Sequence, residues 1–168
     1  MKKIILLVLA LAAMLSLLGC SRRAYKYSPL LFTEKGMEIT LTEGFERDTI
    51  PADSKVAVAI YKAKEVVIFV IKEEFAKYES LDEMTTEEYA GLIQKNYASL
   101  HAEKVRMIDG LVTVKYKVTT NEGQNLTYFN VVFKGSDGFW IFQFNCKTTI
   151  YNAYEAYFIQ WAKSIKVQ

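Results

Sequence analysis

The sequence offers few side chains for catalysis. His101 is the only histidine among 168 residues, and a general base needs an orienting partner and a nucleophile, neither of which any spacing marks. No serine lies in a Gly-x-Ser-x-Gly elbow. We expect His101 on the surface near a helix C-terminus, where positive charge is favoured, and we predict no catalytic residue. The alternative is a hydrolase, which requires His101 to meet a carboxylate in a cleft.

Metal-binding groups are equally sparse. Three carboxylate pairs lie between a predicted strand and the first predicted helix: Glu73-Glu74, Asp82-Glu83 and Glu87-Glu88. The Asp-x-Asp-x-Asp-Gly pattern of a calcium loop is missing, and with one histidine and two cysteines a zinc site would need three carboxylates. We expect these acids on a solvated face or at the helix start, and we predict neither a metal nor a cofactor.

The N-terminal lysines account for the net charge of the chain. Lys and Arg number 21 against 19 Asp and Glu, and removal of Lys2 and Lys3 with a leader segment leaves 19 of each. A neutral domain lacks the broad basic surface of a nucleic-acid binder, so no nucleic-acid partner is expected. The hydrophobic content of 51% is typical of one globular domain of this length.

The N-terminus indicates export. Two lysines precede the apolar run Ile4–Leu15, which is too short to cross a bilayer comfortably and is typical of a secretory signal peptide. Leu17-Leu18-Gly19-Cys20 resembles the lipobox of bacterial lipoproteins. That resemblance implies a signal peptide over residues 1–19, a diacylglycerol on Cys20, a tether over residues 20–30 and a single domain over residues 31–168. The alternative is an uncleaved membrane anchor or a buried helix.

The second cysteine has no partner if Cys20 carries lipid. Cys146 lies in the apolar run Phe139–Cys146, and free cysteine is among the most frequently buried residue types. We expect a buried, inert thiol, since reactivity requires an exposed and electropositive setting.

The elements that must position these residues follow from periodicity. Met37–Thr42 alternates apolar and polar residues, as a strand with one buried face does. Val56–Tyr61 and Val66–Ile71 are β-branched runs that a polar connection joins into a hairpin. Thr85 and Glu88 form a capping box, so a helix is predicted over Thr86–Leu100.

Turn residues then separate four strands of an antiparallel meander. Asp109-Gly110, Asn121–Gly123 and Gly135–Gly138 are the turns. They join Lys104–Ile108, Leu111–Thr119, Leu126–Lys134 and Phe139–Lys147, of which the last two are apolar on both faces and therefore central.

A second helix is predicted over Thr149–Lys166, with an aromatic stripe along one side. Packing against the sheet is the commonest use of such a stripe. Four of its members are the candidate ligand or partner contacts: Tyr154, Tyr157, Phe158 and Trp161. Tyrosine suits contact surfaces because its ring supplies area and its hydroxyl forms hydrogen bonds. Further candidates for exposure are Tyr25, Tyr27, Tyr78 and Tyr128.

The order of elements from Met37–Phe45 to Phe158–Lys166 resembles the PsbP/DcrB-like family of α+β domains. The resemblance covers about Leu31–Val167 and rests on element order and a few residue types. It implies a central antiparallel sheet of about six to seven strands flanked by two helices. Members typically act as accessory proteins of membrane-bound assemblies and share no catalytic residues, and the metal clusters of some photosynthetic members have no counterpart here.

Together these patterns predict an extracytoplasmic lipoprotein held at the bacterial membrane by the lipid on Cys20. Its domain is expected to act as a non-enzymatic binding or accessory module for an envelope protein or assembly. The alternative is a small-ligand or glycan carrier with an apolar pocket between the sheet and the C-terminal helix, which solid packing at that interface would argue against.

Overall fold

The computed structural model describes residues 28–34, 36–52, 54 and 56–168. The predicted signal peptide, Cys20 and the tether up to Tyr27 lie outside the described residues. The described strands are β1 (Leu30–Glu34), β2 (Met37–Leu41), β3 (Glu46–Arg47), β4 (Ala57–Lys62), β5 (Val66–Glu74), β6 (Arg106–Ile108), β7 (Leu111–Thr119), β8 (Asn125–Lys134), β9 (Gly138–Lys147) and β10 (Lys166–Val167). The described α-helices are α1 (Thr86–Asn96) and α2 (Tyr151–Ala162).

Seven of these strands form one antiparallel sheet in the order β3-β4-β5-β9-β8-β7-β6. The predicted α+β class and strand number are therefore confirmed. The β6–β7 turn shows why the meander could be predicted from the sequence. Asp109 and Gly110 both have positive φ, at 52° and 84°, and a tight hairpin turn requires residue types that tolerate this conformation. The two strands predicted to be central, β8 and β9, lie side by side inside the sheet.

The two helices cover opposite faces of the seven-stranded sheet. Successive side chains of a strand point to opposite faces, and β9 shows the alternation directly. Phe142 and Phe144 belong to the hydrophobic cluster that contains α2, whereas Phe139 and Ile141 belong to the cluster that contains α1. This arrangement explains why β9 is apolar at nearly every position.

Helix α1 begins at the predicted capping box. The Thr85 amide donates to the Glu88 carboxylate at 2.8 Å, and the Glu88 amide donates to the Thr85 hydroxyl at 3.2 Å. The helix ends at Asn96, earlier than the predicted Leu100. Tyr97 leaves the helical conformation and stacks on Tyr116 of β7, with 4.4 Å between ring centroids.

The predicted strand at Met37–Thr42 is present as β2 but lies in a second, three-stranded sheet between β1 and β10. This sheet and α2 together cover one face of the larger sheet, and the buried residues of β2 (Met37, Ile39 and Leu41) pack there. Sequence periodicity predicts β2 but not its partners. β1 has five residues and β10 has two, and strands this short show too little alternation to be recognised.

The end predicted for the second helix, at Lys166, is wrong. Helix α2 stops at Ala162 rather than Lys166, because Ser164 makes other contacts. The Ser164 hydroxyl donates to the Trp161 carbonyl oxygen at 2.6 Å and accepts a hydrogen bond from the Thr40 amide at 2.9 Å. The chain then extends along β2 as β10, with Lys166 opposite Glu38.

Candidate functional site

Three of the four candidate contact residues, Tyr154, Tyr157 and Trp161, line a surface groove of about 710 Å³, which we call the α2 groove. Its walls come from three segments: the loop after β2 around Gly44, the connection between β4 and β5 around Lys64, and one side of α2. Residues that line it are Thr42, Glu43, Gly44, Phe45, Ala63, Lys64, Glu65, Val66, Ala153, Tyr154, Tyr157 and Trp161. The groove is open to solvent along the edge of the helix.

An aromatic strip forms the helical wall of the α2 groove. Tyr154, Tyr157 and Trp161 are spaced three and four residues apart, so they lie on one side of α2. The ring centroids of Tyr154 and Tyr157 are 6.1 Å apart, those of Tyr157 and Trp161 are 5.9 Å apart, and Phe45 meets Trp161 edge-on at 5.1 Å. Tyr157 is 46% exposed whereas Trp161 is 3% exposed. The strip therefore runs from solvent into the core.

Phe158 differs from the other three candidate contacts. Its side chain is fully buried and packs between Phe129 and Phe144, with 5.3 Å between its ring centroid and that of Phe144. The space between the sheet and the buried side of α2 is filled at this point. Phe158 supports the aromatic wall from behind, and the opening lies beside the helix rather than beneath it.

A hydrogen bond joins two walls of the α2 groove. The Tyr154 hydroxyl donates to Glu65 Oε2 at 2.7 Å, which links α2 to the β4–β5 connection. This hydrogen bond, with partial burial, raises the pKa of Tyr154 to about 12. Glu43, Lys64 and Glu65 are the charged residues of the lining, so the groove offers aromatic faces next to exposed hydrogen-bonding groups.

Sequence reasoning missed the contribution of Phe45 and Glu65 to this site. Both residues lie in connections, Phe45 in the Gly-Phe turn after β2 and Glu65 in the polar β4–β5 hairpin. Turn residues follow from sequence, but which turns meet one helix is set by tertiary structure. The aromatic Phe45 directly after Gly44 was the available signal, because turns are usually formed by polar residues and glycine, and a large apolar ring there indicates a buried contact.

The predicted chemistry residues lie elsewhere. His101 is exposed, with a left-handed φ of 54°, directly after the short 3₁₀ turn Ala98–Leu100, as expected for a histidine at a helical end. Glu88 belongs to the capping box, and hydrogen bonds from Thr85 lower its pKa. Among residues 28–34, 36–52, 54 and 56–168, no three His, Cys, Asp or Glu side chains are grouped so as to hold a metal ion.

Cys146 is buried, as predicted, on the sheet face that α2 covers. Burial, with a smaller contribution from the Glu65 charge, raises the pKa of the Cys146 thiol to about 11. The thiolate is the nucleophilic form of cysteine, so this environment suppresses reactivity near neutral pH.

The predicted exposure of the tyrosines is met in part. Tyr78 and Tyr157 are exposed, at 48% and 46%. Tyr128 is half-buried, because its ring stacks on Tyr116 with 5.2 Å between centroids. Tyr25 and Tyr27 lie outside the described residues.

Comparison with known proteins identifies the fold. No family model matches the sequence, and no curated protein matches it. The solution structure of cyanobacterial PsbP (CyanoP) from Synechocystis sp. PCC 6803 matches with a TM-score of 0.58 at 14% sequence identity, over 90% of this chain and 99% of that chain. The chain has a PsbP-like fold.

A second solved structure is less similar. The crystal structure of PA94 from Pseudomonas aeruginosa, a protein of unknown function, matches with a TM-score of 0.47 at 12% identity, over 83% of this chain and 97% of that chain. The PsbP-like fold agrees with the family resemblance in the sequence. Of the helices in the described part of the chain, none has the length and hydropathy needed to cross a membrane.

Proposed function

We propose that this protein is an extracytoplasmic lipoprotein whose PsbP-like domain binds another envelope protein through the α2 groove, without catalysing a reaction. The observation that carries the proposal is the aromatic strip of Tyr154, Tyr157 and Trp161, which opens to solvent along the helix edge. No catalytic residue is assigned, and the groove is lined without a histidine.

The shape of the α2 groove suits a protein segment. Tyr and Trp are enriched among the residues that dominate binding energy at interfaces, where a few aromatic anchors are surrounded by weaker contacts. Tyr157 supplies an exposed anchor, and Trp161 and Phe45 supply an apolar floor next to it. Glu43, Lys64 and Glu65 form a polar rim, as protein interfaces commonly have.

Membrane attachment is proposed through Cys20. Two or more acyl chains give stable anchoring, whereas one chain gives marginal binding. Labelled palmitate is expected to enter the wild-type protein and not Cys20→Ala. Cell fractionation is expected to find a processed, membrane-bound form of the wild type that is missing for Cys20→Ala. Equal labelling of the two proteins, or an unprocessed chain free in the cytosol, would reject the lipid anchor.

Binding through the α2 groove can be tested by site-specific crosslinking in cells. A photoreactive phenylalanine at position 157 is expected to crosslink to one envelope protein. The same residue at position 78 is the matched control, because Tyr78 is equally exposed but belongs to the side of the molecule that α1 covers. Absence of a crosslink at position 157, or the same products from both positions, would count against the proposal.

A small-ligand or glycan carrier is the second candidate, but only through the α2 groove, because Phe158 fills the space between the sheet and α2 where the pocket was predicted. The volume of about 710 Å³ lies in the range of ligand sites, and the hydrogen-bonded pair of Tyr154 and Glu65 offers polar groups beside aromatic faces. Saturation-transfer NMR with soluble oligosaccharides tests this candidate. Signal that Tyr157→Ala removes would favour a carrier, whereas crosslinking to a protein without oligosaccharide binding would favour the first proposal.

A further inference from the structure

A second cavity lies on the opposite face of the seven-stranded sheet. Helix α1 contacts β7 and β8, and beside it a pocket of about 420 Å³ extends towards β5. We call this the α1 pocket. Its walls include Ile71 of β5, Ile141 of β9 and Ile93 of α1, with the aromatic rings of Tyr78 and Tyr97 near its opening. The volume lies within the range of small-molecule sites.

The floor of the α1 pocket contains two amide side chains, Asn130 of β8 and Gln143 of β9. Gln143 Nε2 donates to the Tyr116 hydroxyl at 2.7 Å and to Asn130 Oδ1 at 3.0 Å. Asn130 is fully buried and donates to the Val114 carbonyl oxygen at 3.2 Å. Because both N–H groups of Gln143 are engaged, the group that Gln143 can offer to a ligand is its carbonyl oxygen, a hydrogen-bond acceptor.

Buried amides at this point are not needed to fill the sheet face. A core position tolerates a polar group only when its hydrogen bonds are satisfied, and apolar residues of the same size would avoid that requirement. Here the network holds Gln143 in one orientation at the cavity floor. With both of its N–H groups occupied, Gln143 has no donor left for an anionic ligand, which agrees with a ligand that is not an anion.

The negative charge of the α1 pocket favours some classes of ligand over others. Its charged lining residues are Glu73 and Glu79, and both are acidic. Glu73 lies near the Tyr89 hydroxyl and, after burial, is the next cause of the raised pKa of Tyr89. Glu79 also lines an adjoining shallow groove that contains Glu83, Glu88 and a single lysine, Lys95. A cation is favoured at this opening and an anion is disfavoured.

We propose that the α1 pocket binds a small amphipathic amine. The apolar body of the ligand lies against Ile71, Ile93 and Ile141, and its ammonium group lies at the opening beside Glu79. The exposed rings of Tyr78 and Tyr97 add cation–π attraction to the same charge. This site is independent of the α2 groove, which lies on the other face of the sheet.

Three probes with one apolar body test the proposal: 4-phenylbutylamine, 4-phenylbutanol and 4-phenylbutyrate. Titration calorimetry and saturation-transfer NMR use the full-length protein in detergent, with detergent alone as the blank. The amine is expected to bind about tenfold more tightly than the carboxylate, and the alcohol between them. Glu79→Gln is expected to lower the affinity for the amine about threefold, in the range for an exposed charge pair. The same variant is expected to leave the affinity for the alcohol unchanged.

Two variants locate the site. Val56→Trp places a large ring at the half-exposed rim of the α1 pocket and is expected to abolish binding of all three probes. Leu92→Trp places a large ring at the same rim from the side of α1. It is used in place of Val56→Trp if Val56→Trp has a reduced Tm. Tyr157→Ala, in the α2 groove, is expected to change nothing. Equal affinities for the three probes, full binding by the folded rim variants, or loss of binding in Tyr157→Ala would each overturn the proposal.

Discussion

The Tyr154 hydroxyl donates a 2.7 Å hydrogen bond to the carboxylate of Glu65, a residue 89 positions earlier in the chain. This contact joins the last helix of the fold to the hairpin between β4 and β5. It also sets the distance between two walls of the α2 groove. The shape of the candidate site therefore depends on one long-range contact that neither segment specifies by itself.

Removal of the Glu65 charge is expected to return the pKa of Tyr154 from about 12 towards its ordinary value of 10.0. In Glu65→Gln the amide no longer stabilises the protonated phenol as the carboxylate does. Carbon NMR of labelled tyrosine rings measures the shift, and Tyr154→Phe assigns the signal. Glu43→Gln, in the same groove, is the control. An unchanged Tyr154 titration in Glu65→Gln would show that the hydrogen bond is absent in solution.

The raised tyrosine pKa values predict a loss of stability at high pH. Tyr154 titrates near 10.0 when unfolded and about 12 when folded, so the folded state binds the proton more tightly. Its contribution is complete below pH 10 and is lost as the pH rises towards 12. Burial raises the pKa of Tyr61, Tyr89, Tyr116 and Tyr151 as well. Urea unfolding is expected to show a falling free energy across this window, and a flat profile would contradict the assignments.

Phe158 and Tyr157 are neighbours in sequence with opposite roles. Phe158→Ala is expected to lower the free energy of unfolding by about 3–5 kcal/mol, because it leaves a cavity in the aromatic cluster. Tyr157→Ala is expected to change it by less than about 0.5 kcal/mol, as exposed positions do. Tyr157→Ala is nevertheless expected to weaken partner binding by about 30-fold, the effect of an interface anchor of about 2 kcal/mol. Equal destabilisation by the two variants would remove this distinction.

The sequence was most informative where local chemistry decides structure. The Thr85–Glu88 capping box and the Asp109-Gly110 turn predict one helix start and one hairpin without reference to the rest of the chain. The two-sided apolar pattern of β8 and β9 predicts central strands, because both faces of the sheet are covered. These features depend on residues that are close in sequence.

What the sequence left open depends on distant contacts. The end of α2 is set by Ser164 and Thr40, which lie 124 positions apart. The amide network of Asn130, Gln143 and Tyr116 arises from register across three strands, so the α1 pocket went unpredicted. Asn130 and Gln143, two amides inside strands predicted to be central, were the signal that could have pointed to it, since buried amides need partners.

Substitution by alanine is expected to lower the free energy of unfolding at one glycine and to raise it at another. A Cβ at Gly138 would lie 2.6 Å from the Glu73 carbonyl oxygen, in the pairing of β5 and β9. Gly138→Ala is therefore expected to cost about 1–3 kcal/mol, as overpacking does. Gly91 lies inside α1 with nothing within 4 Å of a Cβ, so Gly91→Ala is expected to add about 0.5–1 kcal/mol. Chemical unfolding of both variants measures the difference, and the same sign for both would refute this account of the packing.

Cys146 is expected to resist thiol reagents until the domain unfolds. Its side chain is buried, and a pKa of about 11 leaves little thiolate near neutral pH. The full-length Cys20→Ser variant makes Cys146 the single thiol, so that iodoacetamide labelling reports on this position alone. No labelling is expected under native conditions and one equivalent is expected in guanidinium chloride. Rapid labelling of the native protein would show that the sheet face beneath α2 opens to solvent, and the aromatic wall of the α2 groove would then lack the rigid support that Phe158 and Phe144 give it.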